Sequence, residues 1–253
     1  MKITLLGTGT SQGVPIIGCT CKVCQSTNPK DRRLRTSAFF EVDDNKILID
    51  SGPDLRTQLL NNHITDVDAI LLTHEHKDHL AGLDDIRPIY FLRNRPMEIF
   101  GLQRVLNVVR KDFDYALKAN PYPGAPAFNL HHVRNDAFMV NDVEIIPIHV
   151  RHLTLPILGY RIQNAAYITD ASFIAETEMQ KLMGLDVLVI NALRIKEHYS
   201  HFNLEQALNV IDILKPKRAY LTHMSHDIGL FVQASEMLPD NVLLGYDGLE
   251  INV

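Results

Sequence analysis

The sequence has no tryptophan, no cysteine outside the segment from Cys19 to Cys24, and no apolar stretch near the length of a membrane span. The last absence argues against a helical membrane protein, because about 20 predominantly apolar residues are needed to cross a bilayer. The opening MKITLLGTGTSQG is too short in its apolar part for a secretory signal, so a cytoplasmic location is expected. Three thiols, an odd number with no partner elsewhere, are poor material for a disulfide framework. Positive charge is not in surplus either: 25 Lys and Arg against 30 Asp and Glu give a formal net charge of -5. That balance argues against a nucleic-acid backbone as the main partner, since phosphate binding needs clustered cations. Linkers, low-complexity tracts and short repeats are also lacking, so one domain over residues 1–253 is expected. Its 46% hydrophobic content suffices for a large core.

What is present reads as strands and helices in alternation. KITLLGTGT, SAFFEVDDNKILIDSG and DAILLTH look like successive strands, with DDNK as a turn. GLQRVLNVVRKDF and LEQALNVIDILKP carry apolar residues at the spacing of one helix face. VEIIPIHV, LGYRIQNAAYITD, LDVLVINAL and KRAYLTH suggest further strands, and VLLGYDGLEINV is predicted to be a hairpin about Asp247-Gly248.

The chemistry concentrates in AILLTHEHKDHLAG. A strand ends near Thr73, and His74, His76, Asp78 and His79 follow at a strand-to-helix corner. His74 and His76, two apart, fall on one side of an extended chain and can grip one ion, while Asp78 and His79 can face a second. Imidazole with carboxylate suits zinc, iron or manganese, and such a site needs further ligands from distant segments. The cysteines form a second group: Cys19, Cys21 and Cys24 stand in a Cys-x-Cys-x-x-Cys run. Three thiolates plus one imidazole make a closed tetrahedral zinc site, whose fourth ligand must come from afar.

The run HEHKDH is similar to the His-x-His-x-Asp-His signature of the metallo-β-lactamase superfamily. The resemblance implies an αββα sandwich, two mixed β-sheets face to face with helices outside, and a dinuclear metal site at one edge. By carry-over His74, His76 and His152 would hold one metal, with His149 as the fallback for His152. Asp78, His79 and His223 would hold the other, and Asp170, from AAYITDAS, would bridge the two. Asp50, ending ILIDSG, would orient ligands by hydrogen bonding or serve only as a turn acid.

The cysteine run after LLGTGTSQGVP, together with THMSH, resembles the PhnP subgroup, phosphodiesterases acting on phosphoribosyl cyclic phosphate. That resemblance implies a structural zinc held by Cys19, Cys21, Cys24 and His226. In HYSHFNLEQAL it implies that His201 protonates the leaving group, with His198 as its competitor and Tyr199 where the subgroup more often has proline. The expected function is hydrolysis of a small cyclic phosphodiester such as 5-phosphoribosyl 1,2-cyclic phosphate. Two divalent metals, manganese or zinc, would supply hydroxide near neutral pH, and Asp78 would be both ligand and part of the catalytic set. A small-molecule partner is expected, no membrane, and a homodimer is left open.

Three alternatives share the fold. A ribonuclease Z-like endonuclease would carry an extended basic arm, for which Asp84 to Phe128 is the natural place; its NPYPGAPAF loop reads as a modest lid. A thioester or β-lactam hydrolase would not need the His201 segment or the cysteines. A non-catalytic cofactor-biosynthesis carrier would have an incomplete ligand set. Arg194 is a candidate for phosphate binding or for a surface salt bridge, His63, His131 and His132 read as surface residues, and GTGTSQG lacks the Lys-Ser/Thr ending of a nucleotide loop.

Overall fold

In the computed structural model, which describes residues 1–118 and 122–253, the strands form two sheets. The first runs, edge to edge, through β15 (Leu249–Asn252), β1 (Lys2–Gly7), β2 (Ser37–Val42), β3 (Asn45–Ile49), β4 (Ala69–Leu71), β5 (Met97–Gly101) and β6 (Phe128–His132). It is antiparallel from β15 to β3 and parallel from β3 to β6. The second runs through β11 (Phe173–Ile174), β8 (Val143–His152), β9 (Leu155–Ile162), β10 (Ala165–Ile168), β12 (Val187–Asn191), β13 (Arg218–Thr222) and β14 (Val242–Leu244), with β7 (Phe138–Val140) beside β8. From β10 to β14 this sheet is parallel. The β2–β3 hairpin turns at Asp43, whose φ of 53° is a left-handed conformation that aspartate tolerates.

Alternation along the strands sorts the core into three layers. Ile47 and Ile49 face the second sheet, where they join Tyr160, Ile162, Val187 and Val189; Leu48, between them, faces outward. Likewise Leu188 and Ile190 of β12 turn away from Val187 and Val189. Side chains two apart share a face, and sheets covered on both sides need apolar residues at nearly every position. That is why LVI and AILL runs appear in the sequence. The outer face of the first sheet is covered by α1 (Leu55–Asn61), α2 (Lys77–Leu80), α3 (Arg87–Arg93) and α4 (Gln103–Asp112). The outer face of the second sheet is covered by α5 (Glu176–Lys181), α6 (Leu204–Leu214) and α7 (Phe231–Ser235). The result is the expected αββα sandwich.

One expectation is corrected. The chain about Asp247-Gly248 is not a hairpin: β14 pairs parallel with β13 in the second sheet, and β15 pairs antiparallel with β1 in the first. The Asp247 carboxylate accepts the Thr8 N–H at 2.9 Å, the Thr8 hydroxyl at 2.8 Å and the Leu34 N–H at 2.6 Å. These bonds seat the turn beside the first sheet, so it carries the chain from one sheet to the other. Residues 84–118 supply α3, α4 and β5, packed on the first sheet through Ile86, Ile89, Val105, Leu106 and Val109, and form no separate arm among the described residues. Asn120 and Pro121, within the NPYPGAPAF loop, lie outside the described residues. No described helix is long and apolar enough to cross a membrane.

Candidate metal centre

Each of the segments that build the site turns sharply at the end of a strand. Asp50 after β3, Asp170 after β10 and His223 after β13 have φ of 61°, 58° and 54°. Left-handed backbone is uncommon for side-chain-bearing residues, and here it swings each polar group out of the sheet direction toward one edge. His152 ends β8, just before the turn residue Leu153. His74 and His76 lie between β4 and α2, with His76 as the N-cap, and Asp78 and His79 lie in α2.

Asp170 occupies the centre. Its carboxylate belongs to three overlapping donor groups: with His74 and His79, with His152 and His201, and with Asp78 and His223. Oδ2 lies 3.3 Å from His79 Nε2 and 3.1 Å from His223 Nδ1, and Oδ1 lies 3.1 Å from His201 Nε2. His79 Nε2 is also 3.2 Å from Asp78 Oδ2. His76 reaches the group through His74, with His76 Nδ1 3.0 Å from His74 Nε2. His149, the fallback for His152, is not part of it: its Nε2 lies 3.2 Å from the Arg134 carbonyl, away from the cluster.

The rings are held from behind. Asp50, fully buried, accepts from Thr73 N–H at 2.8 Å, from the Thr73 hydroxyl at 2.8 Å and lies 2.7 Å from His79 Nδ1. His152 Nδ1 meets the Asp170 carbonyl at 3.0 Å, leaving its Nε2 for the site. The Thr169 hydroxyl donates to Asp170 Oδ2 at 2.6 Å, and Asn191 clamps Ala171 by both its carbonyl and its N–H. The threonines and Asn191 were not anticipated. A repeated pattern could have revealed the threonines: LLTH, YITD and YLTH all place a threonine between an apolar strand and a site residue.

The electrostatics fit a cation. Burial drives His74 well below the ordinary imidazole value and His223 down to about 4, so both present neutral nitrogen. Burial also opposes protonation of His79, but the carboxylates Asp170, Asp50 and Asp78 outweigh it and hold that imidazole well above its usual value. Burial would raise Asp170, yet His223, His79 and His201 keep it well below the carboxylate range. His79 Nε2 and His223 Nδ1 are buried and make no hydrogen bond. Unpartnered buried nitrogens beside a shared carboxylate oxygen are what a common metal ligand set presents.

At a second centre Cys19, Cys21 and Cys24 place their sulfurs 3.4, 3.3 and 3.5 Å from His226 Nδ1. Tetrahedral zinc with Zn–S near 2.3 Å and Zn–N near 2.0–2.1 Å separates sulfur from nitrogen by about 3.6 Å, so the four atoms match that polyhedron. The Cys24 N–H, 3.4 Å from Cys21 Sγ, is the main cause of a Cys21 thiol lowered to about 6. His223 and His226 share one short segment, which thus serves both centres.

His198, His201 and Ser200 lie beside the Asp170 cluster. Ser200 Oγ is 3.0 Å from His201 Nδ1 and 3.2 Å from His198 Nδ1, so His201 alone of the two rings reaches Asp170. A cavity of about 450 Å³ opens here, lined by Leu153, Ser172, Glu197, His198, Tyr199, His201 and Gln206. Arg194 is tied to the carbonyls of Lys196 and Glu197 at 3.2 and 2.8 Å.

Known proteins match this chain along its length. Residues 45–224 match the model of the beta-lactamase superfamily domain. An octanoyltransferase from Porphyromonas gingivalis is 44% identical over 253 residues, 99% of this chain but 51% of that protein, so the chain spans about half of the relative's length. A crystal structure described as a new diphosphatase from the PhnP family superposes with a TM-score of 0.93 at 39% identity, covering 100% of this chain and 97% of that one. Zinc-bound PqqB from Methylobacterium extorquens superposes with a TM-score of 0.81 at 17% identity over the full length of both chains, which speaks for the fold alone.

Proposed function

Because the chain belongs to the metallo-β-lactamase superfamily as a PhnP-like member, we propose that it is a metal-dependent phosphodiesterase acting on a small cyclic phosphodiester. The observation that carries this reading is the place of Asp170, one carboxylate shared by three groups of nitrogen and oxygen donors with His201 on its open side. In this reading His74, His76 and His152 hold one divalent metal, Asp78, His79 and His223 hold another, and Asp170 lies between them. The donors are imidazoles and carboxylates, a set that suits manganese as well as zinc. When bound, such a pair lowers the pKa of a water and stabilises charge on phosphoryl oxygens.

The chain's own residues do the rest. Asp50 fixes the His79 ring through Nδ1, and the Asp170 carbonyl fixes His152 in the same way. His201 Nε2 faces the site and protonates the departing ester oxygen as the general acid. The adjoining cavity takes the leaving group, between Ser172, Gln206 and Tyr199. Cys19, Cys21, Cys24 and His226 hold a structural zinc with no open position for substrate. The absence of an arm among the described residues favours a small substrate over transfer RNA, and the filled donor set favours an enzyme over a carrier. The transferase activity is named for a protein of about twice this length.

The test is turnover of 5-phosphoribosyl 1,2-cyclic phosphate by the manganese-loaded protein, with Asp170→Ala as the control. Hydrolysis that falls at least about a hundredfold in the variant is expected, since even supporting residues around metals are worth 10–100-fold. A nucleoside diphosphate is run beside it, because the PhnP-family neighbour is a diphosphatase. Preference for the diphosphate would replace the cyclic ester with a phosphoanhydride. No turnover of either, or turnover that survives Asp170→Ala, would sink the reading.

A further inference from the structure

Arg33 has no place in the proposed chemistry and yet is one of the largest fully buried side chains. Its side chain is 0% exposed, and Nε, Nη1 and Nη2 all lack a hydrogen-bond partner. Asp31 Oδ1 lies 3.9 Å from Nη2, beyond hydrogen-bond reach, and that oxygen already accepts the Phe231 N–H at 2.6 Å. A guanidinium stays charged, and a buried charge is retained only where opposite charge compensates it.

The position of Arg33 shows where that charge lies. Its backbone exchanges hydrogen bonds of 2.7 and 2.8 Å with Val14. Val14 packs with Val23 and Cys24 in a small apolar cluster that also takes in Ile16, Cys19 and Cys21, and the Ile16 N–H lies 3.4 Å from Cys24 Sγ. The guanidinium lies 3.9 Å from Asp31, whose other oxygen takes the hydroxyl of Ser26 just past Cys24, so it is buried beside the cysteine loop, within the field of Asp31, Asp247 and Cys24. The hydrogen bonds to Asp31 and Asp247 come from neutral groups, Phe231 N–H and the Ser26 hydroxyl for one, Thr8 and Leu34 for the other, so both carboxylates share the cation with the cysteines. A divalent zinc with three thiolates and a neutral imidazole carries a net charge of about -1.

We propose that Arg33 is the buried counter-charge of the centre formed by Cys19, Cys21, Cys24 and His226, a positioning residue that offsets the negative charge its three thiolates leave on it. The inference rests on the reading that this centre holds zinc. It accounts for a cation that shares no hydrogen bond with either nearby carboxylate, and for its burial behind the cysteines and away from solvent.

The test replaces zinc at this centre with cobalt(II) in the full-length protein and follows the sulfur-to-cobalt charge-transfer band. The ligands proposed for the catalytic pair contain no sulfur, so the band reports this centre alone. Removing a nearby positive charge raises the sulfur lone pairs in energy, so the band in Arg33→Met should move to longer wavelength. The zinc form of that variant should surrender its metal at a chelator concentration at least tenfold lower than the parent, whereas Arg33→Lys should stay within threefold. A Met variant with the parent's band and the parent's zinc retention overturns the proposal. If that variant is not recovered folded, Arg33→Gln, which keeps a polar side chain without the charge, decides by the same two readouts: the parent's band together with the parent's zinc retention overturns the proposal. A parent chain that binds no metal at its cysteines refutes the zinc reading itself, a failure distinct from equal retention in parent and variant.

Discussion

In the proposed reaction His201 is the proton donor, with Nε2 3.1 Å from Asp170 Oδ1 and Nδ1 3.0 Å from Ser200 Oγ. Protonation matters only when the departing oxygen is a poor leaving group. His201→Ala should therefore lose about 10²–10⁴-fold in kcat on a cyclic ribose phosphate and little on bis(p-nitrophenyl) phosphate. Equal losses on the two substrates would show that the ring does something other than deliver a proton. Asp50 acts one step further back. Asp50→Asn keeps the shape but weakens the grip on His79 Nδ1, and it should lower metal affinity about 10–100-fold, read by titration of the stripped protein. The legibility of these residues follows from their spacing. His74, His76, Asp78 and His79 crowd six positions, so their shared purpose could be read locally. Asp170 and His223 gain meaning only when β10 and β13 bring their ends together, and Thr73 and Thr169 act through hydroxyl bonds whose one trace in the sequence is the threonine repeated before His74, Asp170 and His223.

At the scale of elements, the corner that carries α2 depends on two glycines stacked against each other. A side chain on Gly82 would place its Cβ 2.0 Å from the Gly52 carbonyl oxygen, and one on Gly52 would sit 2.0 Å from the Asp78 carbonyl oxygen. Backbone atoms cannot step aside, so Gly82→Ala must push α2 away from the turn after β3. A loss of about 1–3 kcal/mol is expected, measured as a lower urea midpoint, with weaker metal binding because Asp78 and His79 ride on α2. An unchanged midpoint would mean that the corner relaxes freely. Strands and helices were readable because apolar period distinguishes them: Leu204–Leu214 is a helix capped by Asn203 through a reciprocal bond with Gln206. The Asp247-Gly248 turn misled because its dipeptide signals a local hairpin, while the partners of β14 and β15 are chosen by burial in different sheets.

The whole molecule is closed by contacts far apart in sequence, and the cysteine centre is one of them. It joins residues 19–24, which precede β2, to His226, which follows β13, and so ties a loop beside the first sheet to the edge of the second. The same crossing is made by backbone: Met224 N–H donates to the Thr8 carbonyl at 2.8 Å, and Thr10 N–H to the Met224 carbonyl at 3.2 Å. His223 and His226 lie on either side of Met224, so a metal held at the cysteines would restrain the segment that presents His223 to Asp170. Structural zinc is worth roughly 10–16 kcal/mol in isolated zinc-finger peptides, and a folded scaffold that already holds these residues close expresses only part of it. With even about 3 kcal/mol expressed, Cys21→Ser should lower Tm by about 6–12 °C for a chain of this size. Because the restraint extends to His223, the same variant should also bind the metal beside Asp78 more weakly, while the metal beside His74 and His152 is affected less. Metal titration of parent and variant, each with its Tm, separates the cases. A fall in Tm with unchanged affinity at both catalytic positions would confine the cysteine centre to stability, whereas a selective loss beside His223 would show that the staple sets the geometry of one half of the pair.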